Sequence, residues 1–304
     1  MTDEVGEWFA ERTWQRAPWS VGELVEAKAG RSVSVVLPAL DEQATVGSVV
    51  ASVLAGAGSL VDEVVVVDSG STDDTARVAR RAGARVVARE DVLPGVPPRP
   101  GKGEVLWRSL AATTGDLVVF LDADLVDPDP GFAPALLGPL LTEQKPVLVK
   151  GFYRRPPGKG DEHGGRVTEL VARPLLAALR PELRGVVQPL GGEYAARREF
   201  LESVPFAGGY GIDIGLLLDA HTRYGLDGIA QVNLGVRDHR HHGLARLGAM
   251  AREVTAAALA RCGHPTAGSA PLWQFRQSSG RWLPRVHDVP PGDRPPLREV
   301  RGEP

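Results

Sequence analysis

The residues most able to do chemistry lie in the stretch from Gly115 to Pro130, GDLVVFLDADLVDPDP, where Asp122 and Asp124 follow the apolar run Leu117, Val118, Val119, Phe120 and Leu121. Two carboxylates one residue apart point the same way on a strand. At the carboxyl edge of an open sheet the second can swing into the crevice where such sheets bind ligands. Hard oxygen donors there suit Mg2+ or Mn2+ bridging phosphates, because these cations keep several waters and take only one or two protein carboxylates. The same stretch also reads as a solvated acidic turn, since Asp127, Pro128, Asp129 and Pro130 follow directly.

Other groups carry weaker signals. Gly101-Lys102-Gly103 precedes a helical pattern at Glu104 to Ala112, and backbone donors at a helix start beside a lysine suit a diphosphate. The motif lacks full P-loop spacing and is equally a common surface turn. Glu193 follows two glycines in VVQPLGGEYAA, residues 186 to 196, which reads as a tight turn at a pocket wall. His239, His241 and His242 form either a solvated basic patch or, through His239, a metal ligand. Asp68 is as good a turn cap as a ligand.

These residues need a scaffold, and the hydrophobic pattern supplies one. Val33 to Leu37 reads as a first strand stopped by Pro38, and Val64 to Val67 as a second. Arg85 to Val87, Leu117 to Leu121, Pro146 to Tyr153 and Ile229 to Val236 read as further strands. Helical spacing covers Thr45 to Ala55, Asp74 to Ala82, Phe132 to Leu141, Tyr210 to Thr222 and Gly243 to Arg261, with Arg166 to Leu179 interrupted at Pro174. Alternation of strand and helix predicts right-handed parallel crossovers, hence an α/β fold with a nucleotide-binding half. Residues 5 to 29 read as an amphipathic lead-in, 92 to 103 and 154 to 165 as Pro/Gly-rich loops, and the chain beyond Gly280 as a poorly ordered end.

Composition narrows the class. The chain has 304 residues, with 35 Lys plus Arg against 38 Asp plus Glu, so no global charge draws it to nucleic acid or acidic membranes. The single cysteine, Cys262, excludes an intramolecular disulfide and fits a reducing cytoplasm. The opening MTDEVGEWFAERT is acidic and lacks the apolar region of a secretory signal, and no run is long enough to span a bilayer.

PALDE after the first strand, VVDSGSTDDT after the second and FLDAD after a later one together resemble the nucleotide-sugar-binding half of GT-A glycosyltransferases. With PGKGEVLW, GGRVTEL, QPLGGEYA, GYGIDIGLLLD and QVNLGVRDHR, the chain from about Val33 to His239 resembles the retaining glucosyl-3-phosphoglycerate synthases. The related mannosyl-3-phosphoglycerate synthases share much of this pattern.

The resemblance implies a GT-A fold with one Rossmann-like sheet for the nucleotide sugar and a C-terminal acceptor-binding part. The expected division is 1–30 lead-in, 31–150 donor half, 151–265 acceptor half and 266–304 tail. It implies that Pro38, Ala39, Leu40, Glu42 and Ser69 hold uridine and ribose, and that Lys102, Asp122 and Ala123 meet the ribose and diphosphate, with Tyr210 and Arg237 completing the donor site. Asp124 and His239 would ligate Mg2+ or Mn2+. Gly165, Arg166, Thr168 and His241 would bind 3-phosphoglycerate, while Leu190 through its carbonyl, with Glu193 and Asp213, would orient acceptor and sugar hydroxyls. Asp213 and His241 depart from the Glu and Asn of the pattern. A homodimer is also implied. Mannosyl transfer from GDP-mannose, a cell-wall or polyprenyl-phosphate glycosyltransferase, and a silent sugar-nucleotide sensor stand as alternatives.

Overall fold

The continuous apolar runs become the strands of one eight-stranded mixed sheet. The computed structural model describes residues 3–154, 165–237, 243–264, 266, 270–289 and 292–302. In chain order the elements are α1 (Glu4–Arg12), β1 (Thr13–Trp14), α2 (Val21–Lys28), β2 (Val33–Ala39), α3 (Val46–Ala57), β3 (Glu63–Asp68), α4 (Thr75–Arg81) and β4 (Arg85–Ala88). Next come α5 (Lys102–Ala112), β5 (Leu117–Phe120), α6 (Phe132–Thr142), β6 (Leu148–Arg154), α7 (Arg173–Leu179), β7 (Tyr194–Arg197) and α8 (Arg198–Ser203). The last are α9 (Ile212–Tyr224), β8 (Ile229–Val236), α10 (Leu244–Arg261), the hairpin strands β9 (Leu272–Ser278) and β10 (Arg281–His287), and α11 (Leu297–Arg301).

Strand order is β1-β8-β6-β7-β5-β2-β3-β4, parallel throughout except for β7, which runs antiparallel between β5 and β6. Alternate side chains feed two cores. Val33, Val35, Leu37, Val64, Val66, Leu117 and Val119 pack with α2, α3 and α6, while Val36, Val65, Val67, Val118 and Phe120 pack with α5, α9 and α10. A sheet covered on both faces needs strands apolar on both faces, which is why these segments read as unbroken Val/Leu runs.

Several expectations change. Pro38 does not stop the first strand: β2 continues through it, pairing Pro38 with Val67 and Ala39 with Asp68. The carbonyl of Val36 accepts from Leu121 N, so residue 38 turns its nitrogen to the same side, past the end of β5 at Phe120, where a missing N–H leaves no ladder bond unmade. The lead-in contributes β1, which pairs parallel with β8, and Trp8 is buried with Nε1 donating to the Ile229 carbonyl at 3.0 Å. At Pro174 the helix changes pitch: a π-helical turn, Thr168–Ala172, leads into α7 with Pro174 in its first turn.

The described residues beyond Gly280 form structure that their composition does not suggest. β10 completes the hairpin, Leu297 is fully buried, and Arg294 forms an ion pair with the buried Glu104 on α5. A buried carboxylate demands a cation, and the partner lies 190 residues away, beyond the reach of local composition.

Candidate functional site

Because β2, β3 and β5 are parallel neighbours, their carboxyl ends meet at one sheet edge, carrying Pro38 and Ala39, Asp68 and Ser69, and Asp122 to Asp124. The loops after β2 and β3 are stitched together there. Asp41 Oδ1 accepts from Thr72 N at 2.8 Å, and Glu42 N donates to Thr75 Oγ1 at 2.7 Å. Asp68 Oδ1 accepts from Ser71 N at 3.1 Å and from Ser71 Oγ at 2.5 Å, so Asp68 shapes the turn beside Ser69. Pro38, Ala39, Leu40, Glu42 and Ser69 thus share one wall, on which Leu40 is 55 % exposed and turned outward.

Beside that wall the chain gathers opposite charges. Asp122 lies between two cations, with Lys102 Nζ at 3.0 Å from Oδ1 and Arg237 Nη2 donating to Oδ2 at 2.8 Å. Lys102 also reaches Asp213 Oδ1 at 3.5 Å, and Arg237 reaches Glu193 Oε1 at 2.8 Å and Asp124 Oδ1 at 3.6 Å. Arg237 Nη1 donates to the Tyr153 hydroxyl at 2.7 Å. Exposure separates the acids: the Asp122 and Asp124 side chains are 25 % and 23 % exposed, those of Asp213 and Glu193 6 % and 0 %. The first two open onto the crevice, while the other two lie deeper against Lys102 and Arg237.

Electrostatics follow burial. Burial drives the Glu193 carboxyl up to about 7 despite Arg237, and raises Asp213 despite Lys102. Burial would likewise raise Asp122, yet Lys102 and Arg237 outweigh it and hold that carboxylate well below its usual range. For Lys102 burial is outweighed by Asp122 and Asp213, which keep it firmly charged.

The turn before β7 closes the site from beneath. A Cβ on Gly192 would stand 2.4 Å from Asp122 Oδ2 and 2.7 Å from Lys102 Nζ, so a larger residue here would displace one of these charged groups. Lys150 on β6, 2 % exposed, donates to the Gly191 carbonyl at 2.6 Å and lies 4.6 Å from the Tyr194 ring centroid. Burial pulls its pKa down to about 8. Neither Lys150 nor Tyr153 stands out by motif, although a lysine inside the buried run VLVKGFY was a readable anomaly. Leu190 sits half-buried at the start of this turn.

The remaining expected residues flank the cluster. Tyr210 N donates to Glu253 Oε2 at 2.7 Å, and Tyr210 lies beside Gly209, whose Cα would be 2.9 Å from a Cβ on Gly101. Gly165, exposed Arg166 and buried Thr168 open the helical segment that leads to α7 and packs on α10. His239 and His241 lie outside the described residues. Among the described residues no group of three or more His, Cys, Asp or Glu side chains could hold a metal ion. The donor chemistry still fits Mg2+ or Mn2+ in the mode that takes one or two protein carboxylates and fills the rest with phosphate and water oxygens, since Asp124 brings a part-exposed carboxylate to the crevice edge.

Comparisons with known proteins identify the family. The family model "Glycosyl transferase family 2" matches residues 34–204. A glucosyl-3-phosphoglycerate synthase of Mycolicibacterium smegmatis is 60 % identical over 298 residues, covering 97 % of this chain and 98 % of that protein. A Mycobacterium tuberculosis glucosyl-3-phosphoglycerate synthase is 58 % identical, covering 96 % and 93 %. A crystal structure of that synthase in complex with Mn2+, UDP-glucose and phosphoglyceric acid superposes with a TM-score of 0.89 at 59 % identity, covering 95 % of this chain and 98 % of that one. A second, with Mn2+, UDP and glucosyl-3-phosphoglycerate, has a TM-score of 0.89 at 58 % identity, covering 95 % and 99 %. The sheet, the acidic strand end and full-length similarity converge: the chain belongs to glycosyl transferase family 2, among its glucosyl-3-phosphoglycerate synthases.

Proposed function

We propose that this chain transfers glucose from UDP-glucose to 3-phospho-D-glycerate with retention at the anomeric carbon, using Mg2+ or Mn2+. The observation that carries the reading is Asp122 held between Lys102 and Arg237 at the sheet edge where β2, β3 and β5 end. Departure of a nucleoside diphosphate builds negative charge on phosphate oxygens, and these two cations are already fixed beside the place where it builds. A divalent ion held by Asp124, with His239 as the second proposed ligand, would add Lewis-acid stabilisation of the same charge.

The roles divide along the chain. Residues 31–150 provide the donor side: Pro38, Ala39, Leu40, Glu42 and Ser69 for uridine and ribose, and Lys102, Asp122 and Ala123 for ribose and diphosphate. Tyr210 and Arg237 join them from residues 151–265, which otherwise serve the acceptor. Gly165, Arg166, Thr168 and His241 take its phosphate and carboxylate, where the Arg166 guanidinium can bind two oxygens at once. The Leu190 carbonyl, Glu193 and Asp213 orient acceptor and sugar hydroxyls.

Front-face attack is the favoured route to retention. Glu193 is fully buried against Arg237 and Asp213 is buried against Lys102, which supports orienting roles over a nucleophile's. A covalent glycosyl adduct on either carboxylate would overturn this route.

The test is incubation with Mg2+, 3-phosphoglycerate and a panel of UDP-, GDP- and ADP-sugars. UDP release from UDP-glucose that depends on the acceptor, with an α-linked product by NMR, is expected. Preference for GDP-mannose would move the reading to mannosyl transfer, and donor binding with no turnover to a sugar-nucleotide sensor.

A cytoplasmic homodimer completes the proposal. No helix among the described residues is long and apolar enough to cross a membrane. The hairpin β9–β10 presents Trp273, Phe275, Trp282 and Val286 to solvent on one face, a surface that two-fold self-association would bury. Light scattering on the full chain, with Trp282→Ser as the variant, measures it.

A further inference from the structure

The C-terminal segment ties together the two stretches that bring Lys102 and Asp213 to each other. Arg294 is 8 % exposed and binds both. Its backbone exchanges hydrogen bonds with Phe206, N to O at 2.8 Å and O to N at 3.0 Å, on the stretch that continues into Tyr210 and Asp213. Its side chain binds the other stretch: Nε to Glu104 Oε2 at 2.6 Å, Nη2 to Glu104 Oε1 at 2.8 Å, and Nη2 to the Pro97 carbonyl at 2.5 Å. Glu104 stands two residues beyond Lys102 at the start of α5.

Neighbouring contacts hold the same seam. Trp107 Nε1 donates to the Pro295 carbonyl at 2.9 Å, the Arg294 guanidinium lies 5.0 Å from the Trp107 ring centroid, and Arg99 Nη1 donates to the Gly292 carbonyl at 2.7 Å. The stretches meet without slack: a Cβ on Gly103 would lie 1.9 Å from the Ala207 carbonyl oxygen. A small shift between them would therefore change the 3.5 Å separation of Lys102 Nζ and Asp213 Oδ1.

The geometry points to Arg294 as a positioning residue for the donor site: it clamps residues 97–104 to residues 206–213 and so sets where Lys102 stands relative to Asp122 and Asp213. Its consequence for catalysis rests on the donor role given to Lys102 above. Its consequence for the placement of Lys102 does not. A planar guanidinium that binds a carboxylate with two nitrogens and a carbonyl at once has no equal in lysine, which offers a point charge.

The experiment uses the full chain as Arg294→Met and Arg294→Lys, and reads two quantities on protein shown to be folded by circular dichroism. The first is the rate at which an amine-labelling reagent modifies Lys102 without nucleotide, followed by peptide mass spectrometry, with exposed Lys145 as internal standard. Arg294→Met should raise the Lys102 rate roughly tenfold with Lys145 unchanged, because the clamp opens locally more often. The second is transfer kinetics with UDP-glucose and 3-phosphoglycerate: kcat should fall roughly 10- to 100-fold while the KM for the acceptor holds, as expected of a misplaced charge. Arg294→Lys should fall between wild type and Arg294→Met in both. Unchanged Lys102 labelling in folded Arg294→Met overturns the proposal. Absence of transfer by the wild type overturns the functional reading alone, since labelling still reports placement. Where Arg294→Met lowers the folded fraction, Glu104→Gln, which keeps the shape and removes the charge that orients the guanidinium, must show the same rise in labelling or the proposal fails.

Discussion

Gly192 passes directly beneath Asp122: a Cβ on that glycine would stand 2.4 Å from Asp122 Oδ2. No real side chain tolerates such a contact, so the backbone of the turn is part of the charge cluster's wall. Gly192→Ala must push Asp122 or Lys102 aside. A fall of about 100-fold in kcat/KM is expected, with the unfolding midpoint little changed, measured by coupled UDP release and a thermal melt.

Asp124→Ala should abolish metal-dependent turnover while leaving the fold intact. Asp124 is part-exposed at the crevice edge, so its removal opens no cavity in either core. A loss of at least about 10²-fold in kcat, down to the activity seen without added metal, is expected. A Mg2+ or Mn2+ titration of activity, with circular dichroism as control, checks it; retained metal-dependent activity would show that Asp124 is not a ligand.

Lys150 should set an alkaline limb. Its pKa is pulled from 10.5 to about 8 by burial, and above that pH its bond to the Gly191 carbonyl loses its charge. The kcat/KM of the wild type, which reports the free enzyme, should decline above about 8, and Lys150→Met should lack that limb. Stability runs the other way. Between about 8 and 10.5 the unfolded chain holds a proton that the folded chain has lost, so wild-type stability rises with pH relative to Lys150→Met and falls back as pH drops through 8. Urea titrations of both proteins at pH 7.5 and at pH 10, on either side of most of that window, measure the difference.

Trp8→Ala tests whether the N-terminal segment is structural. The ring is buried, its Nε1 holds the Ile229 carbonyl on β8, and a Cβ on Gly185 would lie 3.0 Å from its ring edge. A destabilisation of about 3–5 kcal/mol is expected from the lost ring and the cavity it leaves, read from urea unfolding, with kcat of the folded fraction unchanged.

Local residue order is enough for some of the elements. Residues Ile229 to Val236 form a strand over the expected span, and Asp122 and Asp124 do follow a buried strand. Unbroken apolar runs leave few alternatives once both faces of the sheet are covered. Local signals misled where a distant partner decided the outcome. Arg294 and Leu297 sit in a stretch whose Pro, Arg and Asp density suggests disorder, yet Glu104 and the core recruit them. Likewise β7, four residues after a two-glycine turn, exists because β5 and β6 flank it.

The parallel α/β frame, the acidic strand end and the place of Lys102 at the head of a helix are legible in residue order, because each rests on residues close together in the chain. Which charges meet is set by the fold. Arg237 reaches Asp122 across 115 positions, Glu193 joins them from the glycine turn that leads into antiparallel β7, and Lys102 and Asp213 join from the starts of α5 and α9. Ion pairing is settled by distance in space and by burial, and neither quantity is written in the local order of residues.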